Sequence, residues 1–430
     1  MLGISRNAPR LRLGWIVNSE KGKLQILTPI FHIPPRNMQY RRFGRTELQM
    51  PVFSCGGMRY QHKWQDVPLS EIPDDNQRNL EATIYRSLEV GINHIETARF
   101  YGSSEVQLGQ ILPKLNRKDY IFQTKVAPVA NSKEFRKTFE LCLSRLNLDY
   151  VDLLGIHGIN DRATFDYTMR DGGCWEVAKQ LQAEGKVRFI GFSTHGSTDT
   201  IVRTIETDRF DYVNLHWYYI NQTNWAAIEA ATRHDVGVFI ISPTSKGGLL
   251  NQPSAKLVEL CQPLSPIVFN NLFCLSHPQV HTLSVGASKP SDFDEHLKTL
   301  PLLERAAELL PPIIDRLEQA AFAKLGKEWV QTWRQGLPVH TDTPGNINMH
   351  TILWLRNLAI AYDMVEYGQM RYNLLENGGH WFPGAKATNV KHIDFSACLA
   401  NSPHAARIPD LLWETDRLLG GIEVKRLSQT

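Results

Sequence analysis

No run in this chain approaches the ~20 apolar residues that a helix needs to cross a bilayer, so no membrane-spanning helix is expected. An excess of charge of either sign is missing too. Across 430 residues, 47 Lys and Arg stand against 44 Asp and Glu, a net charge of +3. Bulk electrostatics therefore call for neither nucleic acid nor a membrane surface as partner. Cysteine is sparse: Cys55, Cys142, Cys174, Cys261, Cys274 and Cys398 are scattered and form no CxxC pair. That excludes a disulfide framework and reads as reduced thiols in a cytoplasmic protein. A GxGxxG phosphate loop is absent after the first candidate strand, where CGGMRY stands at 55–60. Its absence counts against an open, doubly wound dinucleotide fold. No acidic residue precedes Glu20, and the early residues lack the apolar core of a secretory signal. Residues 1–37 read as a flexible extension, or as the product of a start codon upstream of a true start at Met38. An organelle transit peptide is the alternative.

What is present has a globular profile, 42% apolar and 21% charged. From residue 52 to about 300, strand-like and helix-like segments alternate. Candidate strands are 52–56, 92–97, 119–125, 151–157, 187–193, 211–217, 236–242 and 282–286. Several are near-continuous apolar runs, as for parallel strands buried on both faces. Between them, 75–91 has helical apolar spacing and stops at Gly91, and 132–148 opens on Ser132 as N-cap. Eight strands each followed by a helix is the pattern of an α/β (β/α)8 TIM barrel, with a doubly wound sheet as the alternative. Residues 38–51 read as a hairpin turning at Gly44–Arg45, placed to close the barrel bottom. The barrel is assigned to 38–300. Residues 301–430 read as a small, mostly α-helical domain with a twofold internal repeat. Its first segment, 301–326, is helical apart from Pro311–Pro312.

Four polar residues stand at or just after strand C-termini: Glu96, Tyr101, Lys125 and His157. Parallel strands would bring them to one rim. An isolated Tyr, with a pKa of ~10, is a poor acid at neutral pH, and a nearby ammonium favours its phenolate. A carboxylate would hold the Lys, and an imidazole would orient a carbonyl oxygen. Such a site protonates an oxygen while something else delivers a hydride. Taken singly, each residue has an ordinary structural role open to it: a barrel salt bridge, a packed Tyr, a rim His.

At this point the chain resembles the aldo-keto reductases. The resemblance is carried by GINHIETARFYGSSEVQLG (91–109), FQTKV (122–126), LLGIH (153–157), IGFST (190–194), FDYVNLHWYY (210–219), ISPTSKGGLL (241–250) and LSVGASKPSDFDEHL (283–297). It implies a TIM barrel that binds NADP(H) in extended form at its C-terminal face. It implies Tyr101 as general acid, Lys125 lowering its pKa, Glu96 pairing with Lys125 and His157 orienting the carbonyl of a small-molecule substrate. Glu96 departs from the family's usual Asp by one methylene. The resemblance places Ser193, Thr194 and Asn214 on the nicotinamide amide, with Trp217 stacked on its ring. Ser242, Pro243, Lys246, Gly247 and Leu249 would line the pyrophosphate. Ser288 and Lys289 would take the 2′-phosphate and Glu295 the adenine, with Asp292 standing where Arg or Gln is common.

The chain also resembles the subgroup that carries a C-terminal ferredoxin-like domain with two iron–sulfur clusters. The ligand frame C-x2-C-x2-C-x3-C-P falls on Trp333, Gly336, Val339 and Thr343, and again on His392, Phe395, Cys398 and Ser402. One cysteine of the eight survives. No iron–sulfur cluster and no metal are expected, and Trp329, Trp354 and Trp381 read as core. An NADP(H)-dependent carbonyl reductase is the leading expectation. A nucleotide-binding regulatory protein, with a protein partner through the C-terminal domain, is the alternative. A metal-dependent isomerase lacks a second set of carboxylates near Glu96 and His157.

Overall fold

Eight parallel strands close into a barrel in the computed structural model, which describes residues 38–377, 379 and 382–424. Residues 1–37 and Trp381 lie outside the described residues. A short antiparallel hairpin, Tyr40–Arg42 (β1) and Gln49–Pro51 (β2), precedes the barrel. The barrel strands are Phe53–Gly56 (β3), His94–Glu96 (β4), Ile121–Val126 (β5), Val151–His157 (β6), Val187–Ser193 (β7), Tyr212–Leu215 (β8), Gly237–Ile240 (β9) and Thr282–Val285 (β10). They follow chain order around the barrel, and β10 pairs with both β3 and β9 to close it.

Helices fill the outer ring: Asp74–Glu89 (α1), Ser104–Ile111 (α2), Ser132–Leu146 (α3), Arg162–Met169 (α4), Cys174–Ala183 (α5), Thr198–Ile205 (α6), Trp225–Arg233 (α7), Ala255–Cys261 (α8), Pro266–Leu275 (α9) and Asp292–Leu297 (α10). The N-cap of α3 is Asn131, whose side chain accepts from the Lys133 N–H, and not Ser132. Phe43 of the hairpin turn is fully buried and packs against Tyr212 and His281, plugging the barrel bottom.

Strand alternation explains what the barrel interior holds, because every second residue points inward. Phe43, Ile121, Leu153, Tyr212 and Phe239 form an apolar floor. Tyr212 fits there because Gly191 leaves room: a Cβ on Gly191 would lie 2.5 Å from the Tyr212 ring. Two residues up from Tyr212 comes Asn214, and Lys125 lies four beyond Ile121. The interior thus turns polar toward the strand C-termini.

The chain continues through Ala306–Leu325 (α11), Lys327–Thr332 (α12), Met349–Tyr362 (α13), Val365–Tyr372 (α14) and Ile408–Leu419 (α15). Pro311 and Pro312 sit inside α11 and do not break it, contrary to the sequence expectation. At the sixth and seventh positions each removes an i→i−4 hydrogen bond, and the helix runs on through them with Leu310 and Ile313 buried on either side. This helical segment seats on loops at the barrel's C-terminal rim. Trp354 Nε1 donates to the Ile220 carbonyl at 2.8 Å, and Ser254 Oγ to the Tyr362 carbonyl at 2.6 Å. Trp329 is 1% exposed and bonds Asn357 Oδ1. At the frame positions Trp333 and Phe395 are buried, and Gly336 lies so close to Asn401 that a Cβ would meet its carbonyl oxygen at 2.1 Å. Among the described residues, no helix is long and apolar enough to cross a membrane.

Candidate active site

The C-terminal rim gathers the tetrad. Glu96 ends β4 and Lys125 stands near the end of the neighbouring β5, both pointing inward and 3% and 2% exposed. The Lys125 ammonium contacts Glu96 Oε2 directly and donates to the Thr97 carbonyl at 2.7 Å. Room for the longer carboxylate comes from Gly56 on the adjacent strand: a Cβ there would lie 3.2 Å from Glu96 Oε1. Gly155 does the same for the Lys125 stem, with its absent Cβ 2.9 Å from Lys125 Cγ.

Tyr101 sits on the loop after β4. That loop needs Gly102 with φ +54°, because a Cβ there would strike the Lys63 carbonyl oxygen at 2.0 Å. The Tyr101 ring lies under Lys125 Nζ, 4.9 Å from its centroid, and edge-on to His157 at 6.0 Å. Burial, and then the charge of Glu96, push the phenol well above 10, so Tyr101 is a protonated donor at neutral pH. Burial lowers Lys125, against the pull of Glu96. Burial, Lys125 and Lys246 lower His157 to about 3, so its imidazole is neutral. Its Nδ1 is buried and finds no partner among the described residues.

The cofactor candidates divide. Ser193 ends β7 beside His157, and its Oγ accepts from the Gly158 N–H at 3.2 Å. Asn214 pairs in register with Ser193, is fully buried, and has neither amide atom partnered among the described residues. An orphaned buried amide calls for a polar group to meet it. Thr194 is otherwise engaged: its hydroxyl donates to the Ile159 carbonyl at 2.7 Å and accepts from the Gly196 N–H. Trp217 is turned away from the rim altogether. It is 2% exposed and stacked on Phe273 with centroids 5.0 Å apart, so no open ring face remains for a nicotinamide. Alternation explains this: Tyr212, Asn214 and then His216 face the barrel axis, and Trp217 faces the helices.

The loop after β9 is tightly wound. Ser242 and Leu249 take φ of +54° and +55°, and a Cβ on Gly247 would fall 1.8 Å from the Pro243 carbonyl oxygen. A left-handed backbone at a non-glycine residue is held only by the packing around it. Arg59, on the loop after β3, reaches across the rim to Ser245 Oγ at 2.5 Å. Beyond β10, Asp292 Oδ2 accepts from the Ser288 N–H and hydroxyl at 2.8 and 2.7 Å and from the Lys289 N–H. A carboxylate thus holds the Ser288 hydroxyl expected to take a 2′-phosphate. Glu295 accepts from Ser265 and Lys298.

Sequence reasoning missed a histidine chain in the mouth. Tyr218 gives its single proton to the Ile241 carbonyl, so His216 Nδ1 must donate to Tyr218. His216 Nε2 then accepts from His195 Nδ1, 2.6 Å away. Continued strand alternation from Asn214 would have pointed to His216.

The model of the Aldo/keto reductase family matches residues 53–256. An aldo-keto reductase of Mycobacterium avium is 30% identical over 222 residues, covering 49% of this chain and 68% of that protein. The chain belongs to the aldo/keto reductase family. A Schizosaccharomyces pombe protein named as a voltage-gated potassium channel subunit beta is 23% identical over 344 residues, 67% of this chain and 94% of its own length. The fold is shared with a solved aldo-keto reductase from Klebsiella pneumoniae in complex with NADPH. That likeness has a TM-score of 0.51 at 19% identity, over 63% of this chain and 94% of that one.

Proposed function

We infer that the protein is a nicotinamide-dependent oxidoreductase that reduces an aldehyde or ketone to an alcohol, with Tyr101 as general acid. The observation that carries this reading is the protonated Tyr101 phenol between the Glu96-paired Lys125 and the neutral His157. When bound, the cofactor supplies a hydride for the carbonyl carbon. The oxygen left behind becomes alkoxide-like, a stronger base than a phenolate, so Tyr101 gives up its proton downhill even with a raised pKa. Lys125 then sits beside a nascent phenolate and stabilises it. Neutral His157 can donate one hydrogen bond to the carbonyl oxygen and so fix its direction.

The orphaned Asn214 amide and Ser193 suit a carboxamide, and the loop from Ser242 to Leu249 suits a pyrophosphate. Asp292 weighs against a 2′-phosphate unless it swings away. The cofactor class is therefore NAD(P)H, with the choice between NADPH and NADH set by that one carboxylate. The C-terminal segment's likeness to ferredoxin-like domains is part of this proposal, with aromatic and small residues packed where ligands would stand.

The test is purified protein with NADPH or NADH and a panel of aldehydes, ketones and quinones, beside Tyr101→Phe. Loss of about 10²–10⁴ in kcat is expected for the variant with cofactor affinity retained. Equal turnover by the two proteins sinks the assignment. The channel-subunit relative favours a second reading, a nucleotide-binding subunit with little turnover. Tight NADPH binding, no turnover on any carbonyl, and a stable partner in a pull-down would select it.

A further inference from the structure

The loop between β3 and α1 is pinned on either side of Trp64, and Trp64 lies against the general acid. On one side the His62 N–H donates to Ser103 Oγ at 3.1 Å and to Gln107 Oε1 at 2.9 Å. The Lys63 N–H donates to the same Ser103 Oγ at 3.1 Å, and the Lys63 carbonyl accepts from the Ser103 N–H at 3.0 Å. On the other side the Asp66 carboxylate contacts the Arg99 guanidinium directly and accepts from Arg145 Nη1 at 3.1 Å. Between the two anchors Trp64 stands edge-on to the Tyr101 ring, centroids 6.0 Å apart.

The anchors differ in kind. Ser103 and Gln107 are fully buried, so the first is a set of bonds sheltered from water. The second is a charge on the loop itself, on a side chain 43% exposed. Its partner is much drier. The Arg99 side chain is 13% exposed, and among the described residues its one side-chain hydrogen bond goes to Asp66. Fully buried Glu105 faces Arg99 at 3.5 Å and accepts from the Thr124 hydroxyl at 2.9 Å, one residue before Lys125. The Arg99 N–H donates to the Lys125 carbonyl at 2.9 Å. Arg99 is thus tied to the strand that carries Lys125 and stands two residues before Tyr101. A guanidinium so nearly out of water is costly to hold without its anion.

We propose that Asp66 is a positioning residue: clasped by Arg99 and Arg145, it holds the loop after β3 closed so that Trp64 stays against the Tyr101 ring. The role of Tyr101 rests on the reductase reading above; the closure of the loop does not. Closed, the indole edge keeps water from one side of the phenol and limits how far the ring can turn. About 1 Å of misplacement of a reacting group is worth about 100-fold in rate. With the Asp66 charge removed, Arg99 and Arg145 have Glu105 alone beside them, and the stretch around Trp64 keeps only its first anchor. Arg59, earlier on the loop, retains its own bond to Ser245 Oγ at 2.5 Å, so that part of the mouth stays in place.

The full-length protein is compared with Asp66→Asn, which removes the charge at constant size, and Asp66→Glu, which keeps it. Three quantities are read: amide hydrogen exchange of a peptide spanning 61–66, the rate of nitration of Tyr101 by tetranitromethane mapped by mass spectrometry, and kcat beside NADPH affinity. In Asp66→Asn the exchange and the nitration should each quicken about tenfold. Its kcat should fall about tenfold while NADPH affinity holds within about twofold, and Asp66→Glu should recover part of every change. The proposal is overturned if Asp66→Asn matches wild type in exchange and nitration, or if exchange quickens while nitration and kcat stand. It is equally overturned if kcat and NADPH affinity fall together and Asp66→Glu is no better than Asp66→Asn, since general loss of structure then explains the effect. Absence of carbonyl turnover in the wild type would refute the reductase reading alone, because exchange and nitration still decide whether Asp66 keeps Trp64 on Tyr101.

Discussion

Replacing Glu96 by Gln isolates the charge that holds the site together. The side chains are nearly isosteric, so Gly56 accommodates Gln as it does Glu. What is lost is the anion facing Lys125, at a place where both residues are about as buried as any in the barrel. Breaking a buried ion pair from one side costs about 3–5 kcal/mol. The lower end applies here, about 3 kcal/mol, because the Gln oxygen and the Thr97 carbonyl still accept from the ammonium. At roughly 2 °C per kcal/mol for a large chain, the melting midpoint should fall by about 6 °C. The sign of the pH dependence follows from Lys125. Burial already lowers it from 10.5, and Glu96 is the group that raises it, so the variant lowers it further. A lysine depressed in the folded state is a penalty that is fully present below its folded pKa and fades as pH rises toward 10.5. The deficit of Glu96→Gln should therefore shrink between about pH 7 and pH 9.5. Adding Lys125→Met should restore part of the stability, with a coupling of about 2–3 kcal/mol in the double-mutant cycle. Urea unfolding of the four proteins at the two pH values measures all of this. Additive effects with no pH dependence would refute the buried pair as the organising charge of the site.

Three further outcomes follow from the same geometry. His157 is lowered to about 3, so activity between about pH 5 and 8 should carry no inflection from it, whereas a step near 6.5 that vanishes in His157→Gln would show a titrating imidazole. Asp292→Asn keeps an acceptor for Ser288 but removes the charge, and should shift the NADPH-to-NADH affinity ratio upward about tenfold, read by cofactor titration. An unchanged ratio would place the 2′-phosphate elsewhere. Trp217→Phe should leave cofactor affinity unaltered and lower the unfolding midpoint, because the ring stacks on Phe273 in the helix layer; a weakened cofactor with unchanged stability would return Trp217 to the nicotinamide.

Strand cores were legible in the sequence because parallel barrel strands are apolar on both sides, and 151–157 and 187–193 match the observed strands at both ends. Elsewhere the expected ends ran long: 211–217 shortens to Tyr212–Leu215, because His216 and Trp217 are apolar or aromatic enough to continue the pattern after the ladder has stopped. The same residues show where the candidate site was and was not legible. Glu96, Lys125 and His157 could be placed because each is a polar residue at the C-terminal end of an apolar strand, and parallel strands bring such ends to one rim. Trp217 was placed by the family resemblance instead, and the alternation that sends Asn214 and His216 inward sends it out. The docking of α14 on the barrel lay beyond either kind of reasoning. Tyr367 meets the Lys246 carbonyl at 2.7 Å only because α11 carries the chain back along the barrel and α14 lands on the loop after β9, a long-range docking that no local pattern around residue 367 encodes. The rim is therefore decided by two separate signals, strand ends for Glu96, Lys125 and His157 and tertiary packing for the helix above them. Only the first can be read from sequence alone.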